Sequence, residues 1–306
     1  PFSFGATQAL LPALVPPSEL PRANGLLYAG TATTEHTVGP AIGGVVYSLA
    51  RVLPFGADAA SFLGSSALLL GLGREPEPTG PRPGRRGLSR QLVADVRAGL
   101  SWYRRSRVLG LLSATVATLA LTQAMVSAIL VLFALEALHL STTGYGVFMG
   151  VFAVGNVLGG VLANRALRVL GTARVVALAA LLSGLGYLAT GTLSSPVAAA
   201  GVLAVVALAV VCGNVATVSF RQATVPPALQ ARVATVWRAV VWAALPLGSL
   251  LGGVLAAGLG LRIPFFVAGG AQALLAVIVA GPLARLIKAA SAAPEPAAGT
   301  TRPGQR

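Results

Sequence analysis

The sequence predicts an all-α polytopic membrane protein, and three observations carry that prediction. Of 306 residues, 55% are hydrophobic and only 10% are charged, and the mean hydropathy is +0.80. A soluble globule covers its surface with about 25% charged residues, so this chain has too few. Apolar runs of the roughly 20 residues needed to cross a bilayer recur along its length. Arginines gather in alternate connections between those runs. Backbone polar groups find no water in hydrocarbon, which leaves helices and closed barrels as the only spanning forms. The runs are too long for barrel strands and lack period-two alternation, so helices are expected and a β-barrel is not.

In chain order the expected spans are 25–50, 53–73, 108–135, 145–163, 173–193, 197–220, 233–259 and 263–283. Arg22 precedes the first. Nine arginines, from Arg74 to Arg107, fill the connection after the second. Arg165, Arg168 and Arg174 separate the fourth and fifth, Arg221 and Arg232 the sixth and seventh, and Arg285 and Lys288 follow the eighth. The alternate connections hold only Arg51 and Arg262. Basic residues mark the cytoplasmic side of a membrane protein, so the arginine-rich connections and the C-terminus are expected inside, in the plasma membrane of a bacterium. The net charge of +14 is thereby accounted for by topology, and no nucleic-acid partner is expected. Cys212 is the one cysteine and falls within a span, which rules out a disulfide within this chain and makes it a small packing residue.

Four regions follow. Residues 1–73 read as the remainder of an N-terminal bundle, beginning at the inner end of a helix with no signal peptide. Residues 74–107 form a cytoplasmic linker, too rich in Pro and Gly at first to be regular. Its second part spaces Leu92, Val96, Leu100 and Tyr103 as the apolar face of a basic surface helix. Residues 108–288 make a six-helix bundle, and 289–306 a disordered tail. An internal repeat links the parts. Val15-Pro-Pro-Ser-Glu-Leu-Pro-Arg22 returns as Val225-Pro-Pro-Ala-Leu-Gln-Ala-Arg232, and Pro54-Phe55 as Pro264-Phe265, both 210 positions on. Parallel repeats are a known way of building transporters. With two spans before the linker and six after it, the repeat implies four further helices upstream, so the bundle is expected to be N-terminally truncated.

Candidate chemistry sits inside the spans. Glu35 lies ten residues into the first, about 15 Å deep at 1.5 Å per residue. A carboxylate there costs about 3 kcal/mol on insertion scales and is a functional candidate. With the neighbouring His36 it supplies the residue types of a proton relay, the alternative being a protonated Glu35 in an inter-helix hydrogen bond. Asp58, near the start of the second span, either joins that chemistry or caps its helix. Gly39 and Gly43 share a helix face that admits a close neighbour, and Pro40, just before Gly43 and Gly44, bends the helix. Thr115, Thr118 and Thr122 share a face of the third span, with Gln123 beside it, and Asn214 and Thr217 lie on the sixth. This polar stripe either lines a cavity or bonds to its own helix carbonyls. Asn156 reads as an inter-helix hydrogen bond.

Six helices after a basic central linker, with a corresponding half before it, resemble the major facilitator superfamily of secondary transporters. The run from Leu11 to Asn24, followed by Gly39-Pro-Ala-Ile-Gly-Gly44, is similar to the efflux branch that includes macrolide and enterobactin exporters. The resemblance implies helices five to twelve of a twelve-helix bundle. It makes Gly39, Pro40, Gly43 and Gly44 the core of an antiporter motif, with Glu35 where that motif carries glycine. Gly159-Gly-Val-Leu-Ala-Asn164-Arg165 resembles the superfamily's loop signature, with Asn164 replacing the usual acid. Arg165 is then either a gate element or a topogenic charge. The cavity would be lined by the spans carrying Thr115 and Asn214.

The resemblance implies proton-coupled efflux of small amphipathic molecules of the drug or siderophore class, with the lipid bilayer, a small-molecule substrate and protons as partners. A truncated remnant, a partner-binding membrane subunit and a nutrient importer are the alternatives. No zinc-protease, nucleotide-binding or hydrolase motif occurs, so neither an enzyme, a cofactor nor a metal is expected.

Overall fold

The structure, a computed structural model, describes residues 15, 16, 18–33, 56, 59–64 and 107–292. Glu35, His36, Gly39, Pro40, Gly43, Gly44 and Asp58, almost all of the linker and the tail beyond 292 lie outside the described residues. The long helices are α1 (Leu20–Thr33), α2 (Arg107–Leu132), α3 (Thr142–Thr192), α4 (Pro196–Thr224), α5 (Pro227–Leu259) and α6 (Ile263–Ala292). A single π turn, Phe133–Ala137, extends α2. No strand occurs among the described residues. Five of these helices, α2 to α6, are long and apolar enough to cross a membrane.

One of the five crosses twice. At 51 residues, α3 would measure roughly 75 Å if straight, against a hydrocarbon core of about 30 Å. Gly171, with φ 76° and ψ 162°, interrupts it, a conformation that suits a residue without Cβ. Packing against α4 shows that the chain turns back there. Along the first arm, 142–170, Gly155 meets Ala204 and Gly159 meets Leu208 and Val211, so this arm runs with α4. Along the second arm, 172–192, Gly186 meets Val206 while the earlier Ala179 meets Gly213, so this arm runs against it. The two arms are therefore antiparallel, so residues 107–292 form six long helical segments. The first arm is longer than the expected 145–163 span because Asn164 to Leu170 contains no breaker, and Ala, Leu and Arg continue a helix readily.

The ends of the passes are defined by short-range chemistry. Ser141 accepts a hydrogen bond from Gly144 N–H at 3.1 Å and so caps α3. Ser195 caps α4 by accepting from Ala198 N–H at 3.4 Å, with Pro196 at the first helical position. Gly260, with φ 101°, ends α5. The repeat carries through to structure: Glu19 N–H donates to Pro16 O and Leu229 N–H donates to Pro226 O, each at 2.9 Å, at equivalent positions 210 apart. The same Pro turn thus launches α1 and α5.

Two apolar clusters occupy opposite ends of the bundle. At one end Phe133, Tyr187 and Phe265 pack with Leu203 and Ala268, the Phe133 and Phe265 rings 4.4 Å apart. At the other, Val108, Leu112, Ala163, Val175, Val215 and Leu283 meet. Arg107, Arg165, Arg168, Arg174, Arg221 and Arg285 all flank the second cluster. At the first, Arg262 donates to Gly191 O (2.7 Å) and Leu193 O (3.0 Å), capping the second arm of α3, and lies 5.9 Å from the Phe133 ring centre. The outward surface is apolar: Val147, Val154 and Val161 stand exposed along α3, and Trp242, Leu247, Leu250 and Val254 along α5. Such a surface suits lipid rather than water.

Backbone contact at glycine holds the passes together. A Cβ at Gly155 would strike the Ala204 carbonyl, and one at Gly248 or Gly252 of α5 would strike the Leu121 or Met125 carbonyl of α2. Lipid chains are as apolar as leucine, so close packing of small residues, not the hydrophobic effect, drives this association. A buried bond between two side chains also crosses from α6 to α2 at mid-helix. Gln272 of α6 donates from Nε2 to Thr122 Oγ1 of α2 at 2.7 Å, and Thr122 passes its own proton to Thr118 O at 2.8 Å. Gln272 is fully buried, and its Oε1 has no partner. Asn156, expected to bridge helices, instead donates to Phe152 O of its own helix at 3.3 Å, since its half-buried amide reaches that carbonyl four residues back.

Two outcomes test this packing. Gly155→Leu should destabilise the detergent-solubilised protein by about 1–3 kcal/mol, the usual penalty of overpacking, while Gly201→Leu, which faces open space, should leave its unfolding midpoint unchanged. Thr122→Val should cost about 1–3 kcal/mol by stranding the buried Gln272 amide, and adding Gln272→Leu should recover most of that loss in equilibrium unfolding in mixed micelles.

Candidate functional site

The polar stripe on α2 resolves residue by residue. Thr115 is buried and donates to Leu111 O at 2.8 Å; Thr118, half-buried, donates to Ala114 O at 3.0 Å. Thr122 is buried at the α2–α6 contact. On α4, Thr217 is buried and donates to Gly213 O at 2.8 Å. All four hydroxyls thus satisfy themselves on their own helix, which lets a polar residue sit in an apolar span at little cost. Gln123 and Asn214 are half-buried at mid-span. Of these stripe residues, Thr118, Gln123 and Asn214 keep partly open surface. Cys212 is buried, its thiol 3.3 Å from Gly159 O.

The loop-signature residues lie along one arm. Gly159 faces α4, and its neighbour Gly160 faces α1. Asn164 is half-buried and Arg165 exposed, one turn beyond, toward the arginine-rich end.

At that end lies a polar cluster that the sequence reading did not single out. Asn24 of α1 is 1% exposed, and its partners on α4 stand 195 and 198 positions away. Its Nδ2 donates to Ser219 Oγ at 3.1 Å and to Gln222 Oε1 at 2.6 Å, using both amide hydrogens. Ser219 and Gln222 are themselves buried. Beside Asn24, Gly25 and Gly160 meet backbone to backbone, each placed where the other's Cβ would fall on a carbonyl oxygen, and Ala29 closes on Gly160 one turn further. α1 is therefore wedged between α3 and α4, with the amide facing one and the glycine the other. Arg221, also buried, lies 5.2 Å from the Trp237 ring centre, and Gln230 donates to Gln222 O at 3.0 Å and to Val225 O at 3.3 Å, closing the end of α4. The signal in the sequence is an amide next to a glycine, just after Arg22 and at the start of an apolar run. Among the described residues, no three His, Cys, Asp or Glu side chains gather as a metal-binding group.

Comparison with known proteins agrees with this architecture. Residues 3–304 match the major facilitator family described as transmembrane secretion effector. A search of curated proteins returns no match. Among solved structures, a bacterial homologue of the iron transporter ferroportin, in an outward-facing state, superposes with a TM-score of 0.67 at 19% identity, over 92% of this chain and 67% of that one. At that identity the likeness is one of fold. Seven solved chains match in all. The helical passes, the apolar outer surface and a family match spanning nearly the whole sequence agree: this chain is a multi-pass membrane transporter of the major facilitator fold, belonging to the transmembrane secretion effector family.

Proposed function

We propose that this transporter exports small amphipathic molecules across a bacterial plasma membrane in exchange for protons, by rocking two helix bundles about a central cavity. The first bundle contains α1 and the 1–73 region, the second contains the six passes from 108 to 288, and the linker between them and the C-terminus face the cytoplasm. The observation that carries the reading is the α1 contact. A helix separated from α4 by nearly two hundred residues docks on it through neutral hydrogen bonds, and on α3 through bare backbone, a joint that water can take apart without stranding a charge. Outward direction is supported by the family's description as secretion effectors, and cytoplasmic placement of the arginine end by the positive-inside rule.

Thr118, Gln123 and Asn214, which keep partly open surface, would meet the substrate in this reading, as polar groups that fix orientation without narrow specificity. Glu35, with His36 and Asp58, supplies the proton-coupling groups, because a carboxylate at mid-depth must exchange its proton to follow a gradient. Gly39, Pro40, Gly43 and Gly44 supply the bend and close contact of the coupled helix. The cargo of the ferroportin homologue does not transfer, since the likeness is of fold alone.

In inside-out vesicles containing the full-length protein, an imposed pH gradient should drive uptake of amphipathic dyes or drugs. Glu35→Gln should abolish that gradient-driven component while leaving downhill exchange of the same dye intact. Unchanged gradient-driven uptake in Glu35→Gln removes the proton role from this residue.

A further inference from the structure

We infer that Asn24, Ser219 and Gln222 form the latch of the inner gate, a neutral amide–hydroxyl latch that positions the two bundles in the inward-closed state; this rests on the alternating-access reading above. Four observations converge. The three side chains are buried together at the arginine-rich end, and they join α1, before the linker, to α4, after it. Gly25 and Gly160 lie directly beside them, so the same step of α1 touches α3 by backbone and α4 by side chain. The Gly160 contact ties this step to the Gly159–Arg165 segment, where Asn164 leaves a neutral side chain. No carboxylate lies among the latch residues.

The chemistry of the latch suits a joint that must open on every cycle. Both Asn24 amide hydrogens are used when it is closed. When α1 lifts away, water can satisfy the amides and the hydroxyl in turn, so neither state leaves a donor stranded. A buried ion pair would have to be rehydrated as two charges and would resist opening more strongly. The glycine contact gives the closed state its shape, because no side chain stands between the two backbones to slide or repack. Asn24 is a positioning residue in this scheme. It touches no substrate and acts by setting the ratio of closed to open inner ends.

The test uses the full-length protein in a cysteine-free background with spin labels at Leu26 and Ala223, both exposed and each within a turn of a latch residue. Double electron–electron resonance should show a short distance that dominates and a longer one that grows under conditions driving the cycle. Asn24→Ala should raise the ratio of long to short populations roughly ten-fold, the effect of losing two amide hydrogen bonds of ordinary net strength. Gln222→Ala should move it in the same direction, and Asn24→Gln, which keeps an amide, should restore much of the short population. Should Asn24→Ala not fold, Gln222→Ala carries the test. Two distances in the parent with populations unchanged in both alanine variants overturn the latch and leave the transport reading standing. A single distance in the parent under every condition, with or without a pH gradient, overturns both. A shift in the alanine variants with preserved dye flux supports the latch.

Discussion

Backbone meeting backbone at glycine is the contact on which this molecule depends. Three of the joints between passes are made this way: the first arm of α3 on α4 at Gly155 and Gly159, the second arm on α6 at Gly184 and Gly269, and α5 on α2 at Gly248 and Gly252. The hydrocarbon core gives helices no solvent-driven reason to associate. Association must come from dispersion over close surfaces, and a missing side chain is what brings two helices close enough. Large apolar residues then face outward, where Val147, Val154, Leu247 and Leu250 meet lipid chains. The distribution is the reverse of a soluble core, and the same physics produces both.

One of these glycine joints differs from the others in its company. Between α1 and α3 the Gly25–Gly160 contact is accompanied by buried hydrogen bonds from Asn24 to α4, whereas the joints at Gly155, Gly184, Gly248 and Gly269 are bounded by alanine, leucine and glycine. Apolar close packing suits surfaces that stay together. Polar groups that can be hydrated suit surfaces that separate. The repeated Pro turn at Pro16 and Pro226 launches α1 and α5 by the same local geometry, so the two helices are related elements set in different surroundings. α1 is held on both sides by α3 and α4, while α5 packs on α2, with Val233 against Leu109 and Gly248 and Gly252 against its backbone, and leaves Trp242, Leu247, Leu250 and Val254 exposed.

Much of this was readable in the amino-acid order. The helices after the linker follow from length and apolarity, and the turn at 163–173 from a charged interruption between two apolar runs. The point at which that turn occurs was not readable as such, because Arg165 and Arg168 are compatible with helix and only Gly171 adopts the reversing conformation. The threonine stripe illustrates a second limit. Spacing puts Thr115, Thr118 and Thr122 on one face, but a hydroxyl on a helix always has its own carbonyls within reach, so a shared face does not decide between cavity and core. Asn24 shows a third. Its partners are 195 and 198 positions away, and no local pattern signals a pairing set by how two distant helices dock.

The account rests on six passes after the linker, with the arginine-rich end inside and the α3 reversal at Gly171 on that side. Single cysteines in a Cys212→Ser background test it directly, one at Ser194 beside the Arg262 cap and one at Val169 beside the reversal, both exposed. A membrane-impermeant thiol reagent should label the Ser194 position in intact cells and the Val169 position only after permeabilisation. Labelling of both positions from the same side, or of Val169 alone from outside, would contradict it.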